Sequence, residues 1–170
     1  PQNDDTVLFT GAATNTMKPY LHGEPIPLGG IYMIQTCMRT QNVKSLDDLD
    51  KLPEWASYFG ILGAITGPGN LDELSALSWD LYSRYIGVDR NRLRIRIATK
   101  DLDLRRHWEK ACLDGYMEFD GLDPVKYTHK YGIDSISGRN CNLAIVDLTS
   151  GKLNDVGNVI AIEANQGRGC

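Results

Sequence analysis

The sequence is short of the features that announce several common functions. Its four cysteines, Cys37, Cys112, Cys141 and Cys170, stand far apart and form no C-x-x-C pair. That scatter argues against both a zinc motif and a disulfide framework. No apolar run approaches ~18 residues, and the first residues hold no basic stretch leading into an apolar one. Neither a membrane span nor a signal peptide is expected, and the expected setting is the reducing cytoplasm. Basic residues are not in excess: 18 Lys and Arg face 22 Asp and Glu, for a net charge of -4. Adhesion to nucleic acid through bulk charge is therefore not expected, DNA is no expected partner, and only a local basic patch stays open. The chain also has no internal repeat and no low-complexity stretch.

What the chain does have is an ordinary globular balance, 42% hydrophobic and 24% charged over 170 residues. That is one domain's worth, long enough to bury a core. Residues 32–69 organise the rest. The run Tyr32-Met33-Ile34-Gln35-Thr36-Cys37-Met38-Arg39-Thr40 is followed by an acidic insert, 41–51, and then by Trp55-Ala56-Ser57-Tyr58-Phe59-Gly60-Ile61-Leu62-Gly63. This spacing predicts two strands joined by a long loop, with Arg39 at the end of the first. An arginine held on a rigid strand presents a fixed fork of donors that suits a phosphate.

Elsewhere the pattern predicts a short strand at Val7-Leu8-Phe9-Thr10 and a turn-rich connector over 23–30. A helix follows over 72–85, facing inward through Leu74, Leu77, Leu81 and Tyr85, capped by Asn70 or Asp72 and ended by Gly87. Strict alternation over 92–98 predicts a half-buried strand with Arg92, Arg94 and Arg96 on one face. Those arginines read either as an RNA track or as a face paired with carboxylates, and the acid excess favours the second. A second helix is predicted over 101–112 with Trp108 inward, and Trp79 and Trp108 are read as core anchors. Strands over 140–147 and 157–166 flank a turn at Thr149-Ser150-Gly151-Lys152. The fold class expected is α+β, an antiparallel sheet flanked by helices on one side, in a single domain over 1–170.

Cys37-Met38-Arg39-Thr40 and Ser57-Tyr58-Phe59 with Ile61-Leu62-Gly63 resemble motif 2 of the class II aminoacyl-tRNA synthetases in the alanyl-specific form. Lys18-Pro19-Tyr20 and the 157–166 strand echo two further segments of that core, and the resemblance runs from about residue 6 to about residue 166. Departures are specific: Glu54-Trp55 stand where the family has Arg-His, Gly60 replaces a Glu and Ala64 an Asn. The family's first and third motifs would lie outside the stretch, so a class II core incomplete at both ends is expected.

The resemblance implies roles for particular residues. Arg39 would hold the α-phosphate of ATP and the attacking carboxylate, with Lys18, Tyr58 and Phe59 on the ATP side. Asn158 would take the substrate amino group, with His129 and Glu163 grouped beside it for the amino acid. Thr128 and His129 fall where a tryptophan closes the family's pocket, and Asn142 near a family glutamate. Lys18 reads equally as a solvated lysine beside a turn, His129 reads rather as a solvated or core residue, and Asn158 reads also as a sheet asparagine satisfied by backbone. ATP and Mg²⁺ are implied as cofactors, and a small amino acid and tRNA as partners. Two functions of different class follow: an amino-acid-activating ligase, or a non-catalytic binding or assembly module that keeps the fold. The Glu54 carboxylate, set where triphosphate belongs in the family, favours the second.

Overall fold

Period-two alternation from Ile31 onward lays down the first ladder. The computed structural model describes residues 8–40, 57–120, 127–131 and 136–164. In it β1 (Ile31–Met38) pairs antiparallel with β2 (Tyr58–Ile65), Ile31 opposite Ile65 and Met38 opposite Tyr58. The expected hairpin arms are thus present. The 41–51 insert, Glu54 and Trp55 lie outside the described residues.

One face of this ladder is covered by its own chain. A Cβ on Gly63 would sit 2.5 Å from the Cβ of Ala13, so only glycine lets the 3-10 turn Ala13–Asn15 press on the strands. Met17 is buried beside it. The short helix α1 (Lys18–Leu21) follows, with Pro19 in its first turn, where a missing N–H leaves no helix bond unmade. The strand expected at 7–10 does not form over its described part. Leu8 and Phe9 bend outward, exposed, and only the Thr10 carbonyl joins the ladder end, accepting the N–H of Met38 at 2.9 Å.

The chain divides into two compact units, Pro1–Gly67 and Pro68–Cys170. The second begins with α2 (Leu71–Asp80), which widens into a π-helical turn, Leu81–Tyr85, before Gly87 stops it at φ +81°. Its inward stripe differs from the expected one. Leu77 and Tyr85 are exposed, whereas Leu71, Leu74, Trp79 and Tyr82 reach the core. Trp79 is the largest group available, and burying it rotates the helix away from the leucine spacing. Asn70 stands at the N-cap without a side-chain cap bond. Asp72 reaches across to His107 and Lys110 of α3 (Leu102–Lys110) instead. Asp101 does cap α3, accepting the Leu104 N–H at 3.1 Å.

The sheet is mixed, which corrects the wholly antiparallel expectation. β3 (Leu93–Ala98) lies parallel to β4 (Met117–Asp120), because α3 forms the crossover between them. β6 (Ile136–Val146) runs antiparallel to β3, to the short β5 (Thr128–Lys130) and to β7 (Leu153–Ala164). The β6–β7 turn is tightened by the Asp147 carboxylate, which accepts N–H bonds from Thr149 and Ser150. A bulge breaks the register beyond Leu143: Leu143 faces Gly157, but Ala144 faces Asp155.

Helices α2 and α3 lie on one face of this sheet, as expected. Leu93, Ile95, Ile97, Leu143 and Val159 pack there with Trp79, Leu104 and Trp108. Each such side chain contributes about 1.5–3 kcal/mol by leaving water. Trp108 donates its Nε1–H to the sulfur of Cys141 at 3.1 Å, so the indole is buried with its polar atom satisfied. Burial pushes the Cys141 thiol up to about 12, which keeps it a packing group.

Candidate functional site

In the first unit the strand pair fixes Arg39. Its N–H donates to the Ser57 carbonyl at 2.8 Å, closing the ladder one step beyond Met38. Its Nε donates to the Gly11 carbonyl at 2.8 Å, and its Cζ lies 5.2 Å from the centroid of the Phe59 ring. The guanidinium is thereby pinned from two sides in a half-buried position. Phe59 and Tyr58 do not act as a pair. Phe59 stands opposite buried Cys37 on the covered face with Arg39, whereas Tyr58 stands opposite Met38 on the exposed face. Lys18 is half-buried in the first turn of α1.

In the second unit the sheet face turned away from α2 and α3 is polar. Asn142 faces Asn158 across β6 and β7. Asn140 donates its amide hydrogens to Asn142 Oδ1 at 2.6 Å and to Asn158 Oδ1 at 3.2 Å. Asn142 donates in turn to Asp155 at 3.1 Å, and Asp155 pairs with Arg96 at 3.3 Å. Arg94 pairs with Glu118 at 3.3 Å. Arg94 and Arg96 are therefore matched by carboxylates, as the blander reading expected, while Arg92, in the turn before β3, donates to the Val146 carbonyl at 3.1 Å. His129 belongs to this same face, opposite Gly138, with its ring 5.1 Å from that of Tyr131.

Glu163 does not share that face. It lies opposite Ser137 and accepts from Arg139 Nε at 2.7 Å on the helix side of the sheet. Arg139 Nη1 and Nη2 are taken by Asp101 at 2.5 Å and Asp103 at 2.8 Å. Burial opposes the charge of Arg139, but the carboxylates of Asp103 and Glu163, then Asp101, outweigh it and raise the group above its ordinary value. This knot fastens the start of α3 to β6 and β7, beside a cleft of about 470 Å³ that Lys100, Arg106 and Thr128 also line. Sequence reasoning did not single out Arg139, Asn140 or Tyr131, because only strand register shows what each of them meets.

No protein-family model matches the chain. Individual proteins do. An alanine–tRNA ligase of Treponema denticola is 32% identical over 117 residues, covering 66% of this chain and 19% of that protein. One from Borreliella afzelii is 30% identical over 115 residues, 65% of this chain and 19% of the relative. One from Candida albicans is 24% identical over 193 aligned positions, spanning 98% of this chain and 20% of the relative. The chain is similar to alanine–tRNA ligases. It spans a fifth or less of the length of these relatives. Within this alanine–tRNA ligase-like region, no helix among the described residues is long and apolar enough to cross a membrane. Nor do the described residues group three or more His, Cys, Asp or Glu side chains where they could hold a metal ion.

Proposed function

We propose that the chain is a portion of an aminoacyl-tRNA ligase core that activates a small amino acid with ATP. In that reaction a carboxylate oxygen of the amino acid attacks the α-phosphorus of ATP. A new P–O bond forms as the bond to the β-phosphate bridging oxygen breaks, giving an aminoacyl-adenylate and pyrophosphate. The acyl group then passes to a tRNA 3′ end or a comparable acceptor. Chemistry of this kind asks the protein for positioning and charge stabilisation more than for covalent participation.

The observation that carries the reading is Arg39, pinned by the Gly11 carbonyl and the Phe59 ring at the end of a strand that resembles motif 2. A guanidinium fixed before the ligand arrives loses little freedom on meeting an α-phosphate oxygen. Phe59 serves the ATP side by holding Arg39, and Lys18 would reach the nucleotide from α1, whereas Tyr58 stands on the opposite face of the ladder from Arg39 and has no part in that grip. In the second unit the open amide row suits a small zwitterion. Asn158 is its exposed end, and an amide oxygen there accepts from an ammonium. His129 lies on that face, and Glu163 lies on the other, serving Arg139. Mg²⁺ finds no clustered protein ligands among the described residues. It commonly keeps phosphate oxygens and water as its partners, and no step here is assigned to it.

A second reading, a synthetase-like binding module without catalysis, is favoured by Glu54 and Trp55 in place of the family's Arg-His pair. ATP–pyrophosphate exchange over the twenty amino acids, joined to calorimetric titration with ATP, separates the two. Exchange with any amino acid supports the ligase. ATP binding without exchange supports the module, and absence of both removes the nucleotide reading altogether.

A further inference from the structure

The polar row on β6 and β7 is not fully satisfied. Asn140 is 7% exposed, and its Oδ1 is buried with no hydrogen-bond partner. The hydroxyl of Tyr131 is likewise buried and unpartnered. Both belong to one place. Tyr131 lies against Gly138, its oxygen 3.0 Å from where a Cβ would stand, and Asn140 is the next residue on the same face of β6. Gly138 is what allows that approach, since any side chain would collide with Ile160 at 2.4 Å. The row opens to solvent at Asn158.

A buried polar atom left unmade costs more than a hydrogen bond gains, so a group that pairs with either of these two atoms is stabilised there. Asn140 Oδ1 only accepts. The Tyr131 hydroxyl donates and accepts, and burial pushes its ionisation up to about 12, so it stays neutral at working pH. Among the described residues no bare carboxylate stands at these two atoms, since Asp155 farther along the row is bonded to Asn142 and Arg96. The described residues therefore offer a cationic group no counter-charge there, whereas an uncharged hydroxyl fits both an acceptor and a donor.

We propose that this row selects an amino acid whose side chain carries a hydroxyl over its apolar counterpart, so that serine is preferred to alanine. The proposal rests on the amino-acid-activating reading above and names the substrate class of that same face. A pocket that hydrogen-bonds a substrate hydroxyl rejects the analogue lacking it because its own polar groups are then left unpaired.

The probes are non-hydrolysable seryl- and alanyl-sulfamoyl adenosine, titrated calorimetrically against the chain, with ATP alone as a third ligand. The seryl mimic should bind about ten- to a hundredfold tighter than the alanyl one. Tyr131→Phe removes only an unpartnered hydroxyl, so its unfolding temperature should hold or rise while the seryl advantage shrinks and alanyl affinity stays level. Equal or tighter binding of the alanyl mimic overturns the selection and leaves amino-acid activation standing. ATP binding without either mimic removes the selection and the amino-acid face together, and no binding of any probe removes the ligase reading as well. An undiminished seryl preference in both Tyr131→Phe and Asn140→Leu would also overturn the assignment, because it would place the discriminating groups elsewhere.

Discussion

Arg39 and Phe59 meet on one face of the same strand pair, the guanidinium carbon 5.2 Å from the ring centroid and the Nε bonded to the Gly11 carbonyl. The arginine is thus oriented by two groups that carry no net charge. Its positive charge is held in place without a carboxylate in those two contacts.

Arg39→Ala should lower ATP affinity about ten- to a hundredfold, the range of one charge-assisted hydrogen bond. Arg39→Lys should recover part of the charge and none of the fork. Calorimetric titration of the three proteins checks this, and equal affinities would take Arg39 out of any nucleotide site.

Gly63→Ala should destabilise the first unit by about 1–3 kcal/mol, since the new methyl would lie 2.5 Å from Ala13 Cβ and 3.2 Å from Met17 Cε. Gly60→Ala is the control on the same strand. Its nearest neighbour would be Ile34 Cγ2 at 3.9 Å, so a change within about 0.5 kcal/mol is expected. Urea denaturation followed by fluorescence compares them.

The bonds that Lys110 and then His107 make to Asp72 hold its carboxyl below the ordinary carboxylate range. A depressed folded value means that the stabilisation is complete above the unfolded-chain value and fades as pH falls through the folded one. Asp72→Asn should therefore flatten the acid limb of a stability–pH profile and leave its alkaline limb in place. A profile with an unchanged acid limb would show that the bridge between α2 and α3 contributes nothing.

Replacing Arg139 by Leu leaves Asp101, Asp103 and Glu163 facing one another without their shared cation. The side chain is one-third exposed, which puts the loss below that of a fully buried pair, at about 1–2 kcal/mol. Salt should narrow the gap between wild type and variant by screening the stranded carboxylates. Thermal unfolding at low and high ionic strength tests both statements.

Much of this architecture is legible in local sequence. The hairpin arms follow from alternation between Tyr32 and Thr40, and α3 follows from the Asp101 cap and the inward Trp108. The stripe on α2 is harder to read, because leucines at 74, 77 and 81 and an aromatic set at 79 and 82 both satisfy helical spacing. Side-chain size decided between them. The parallel β4 is invisible beforehand, since Met117-Glu118-Phe119-Asp120 gains its meaning only from the crossover that delivers it to β3. At the site, Asn158 and Glu163 are five apart on one strand, an odd separation that already puts them on opposite faces. The orphaned oxygens of Asn140 and Tyr131 are another matter. They depend on which residues stand opposite Gly138, and register is a property of paired chains.

The bulge near Leu143 has a further effect on what the sheet displays. Asp155 and Asn158 are three positions apart, so a regular strand would send their side chains to opposite sides. The extra residue, Val156, resets that parity, and its carbonyl is free to accept the hydroxyl of Tyr82 at 2.6 Å. Asp155 consequently emerges beside Asn142 and Arg96. Without that slip the same sequence in a regular strand would turn the carboxylate toward Tyr82 and end the polar row at Asn142, whereas deleting Val156 would leave Asp155 two positions from Asn158 and still on the open face. The chemical character of the open surface is thus governed by a phase slip of one residue in its last strand.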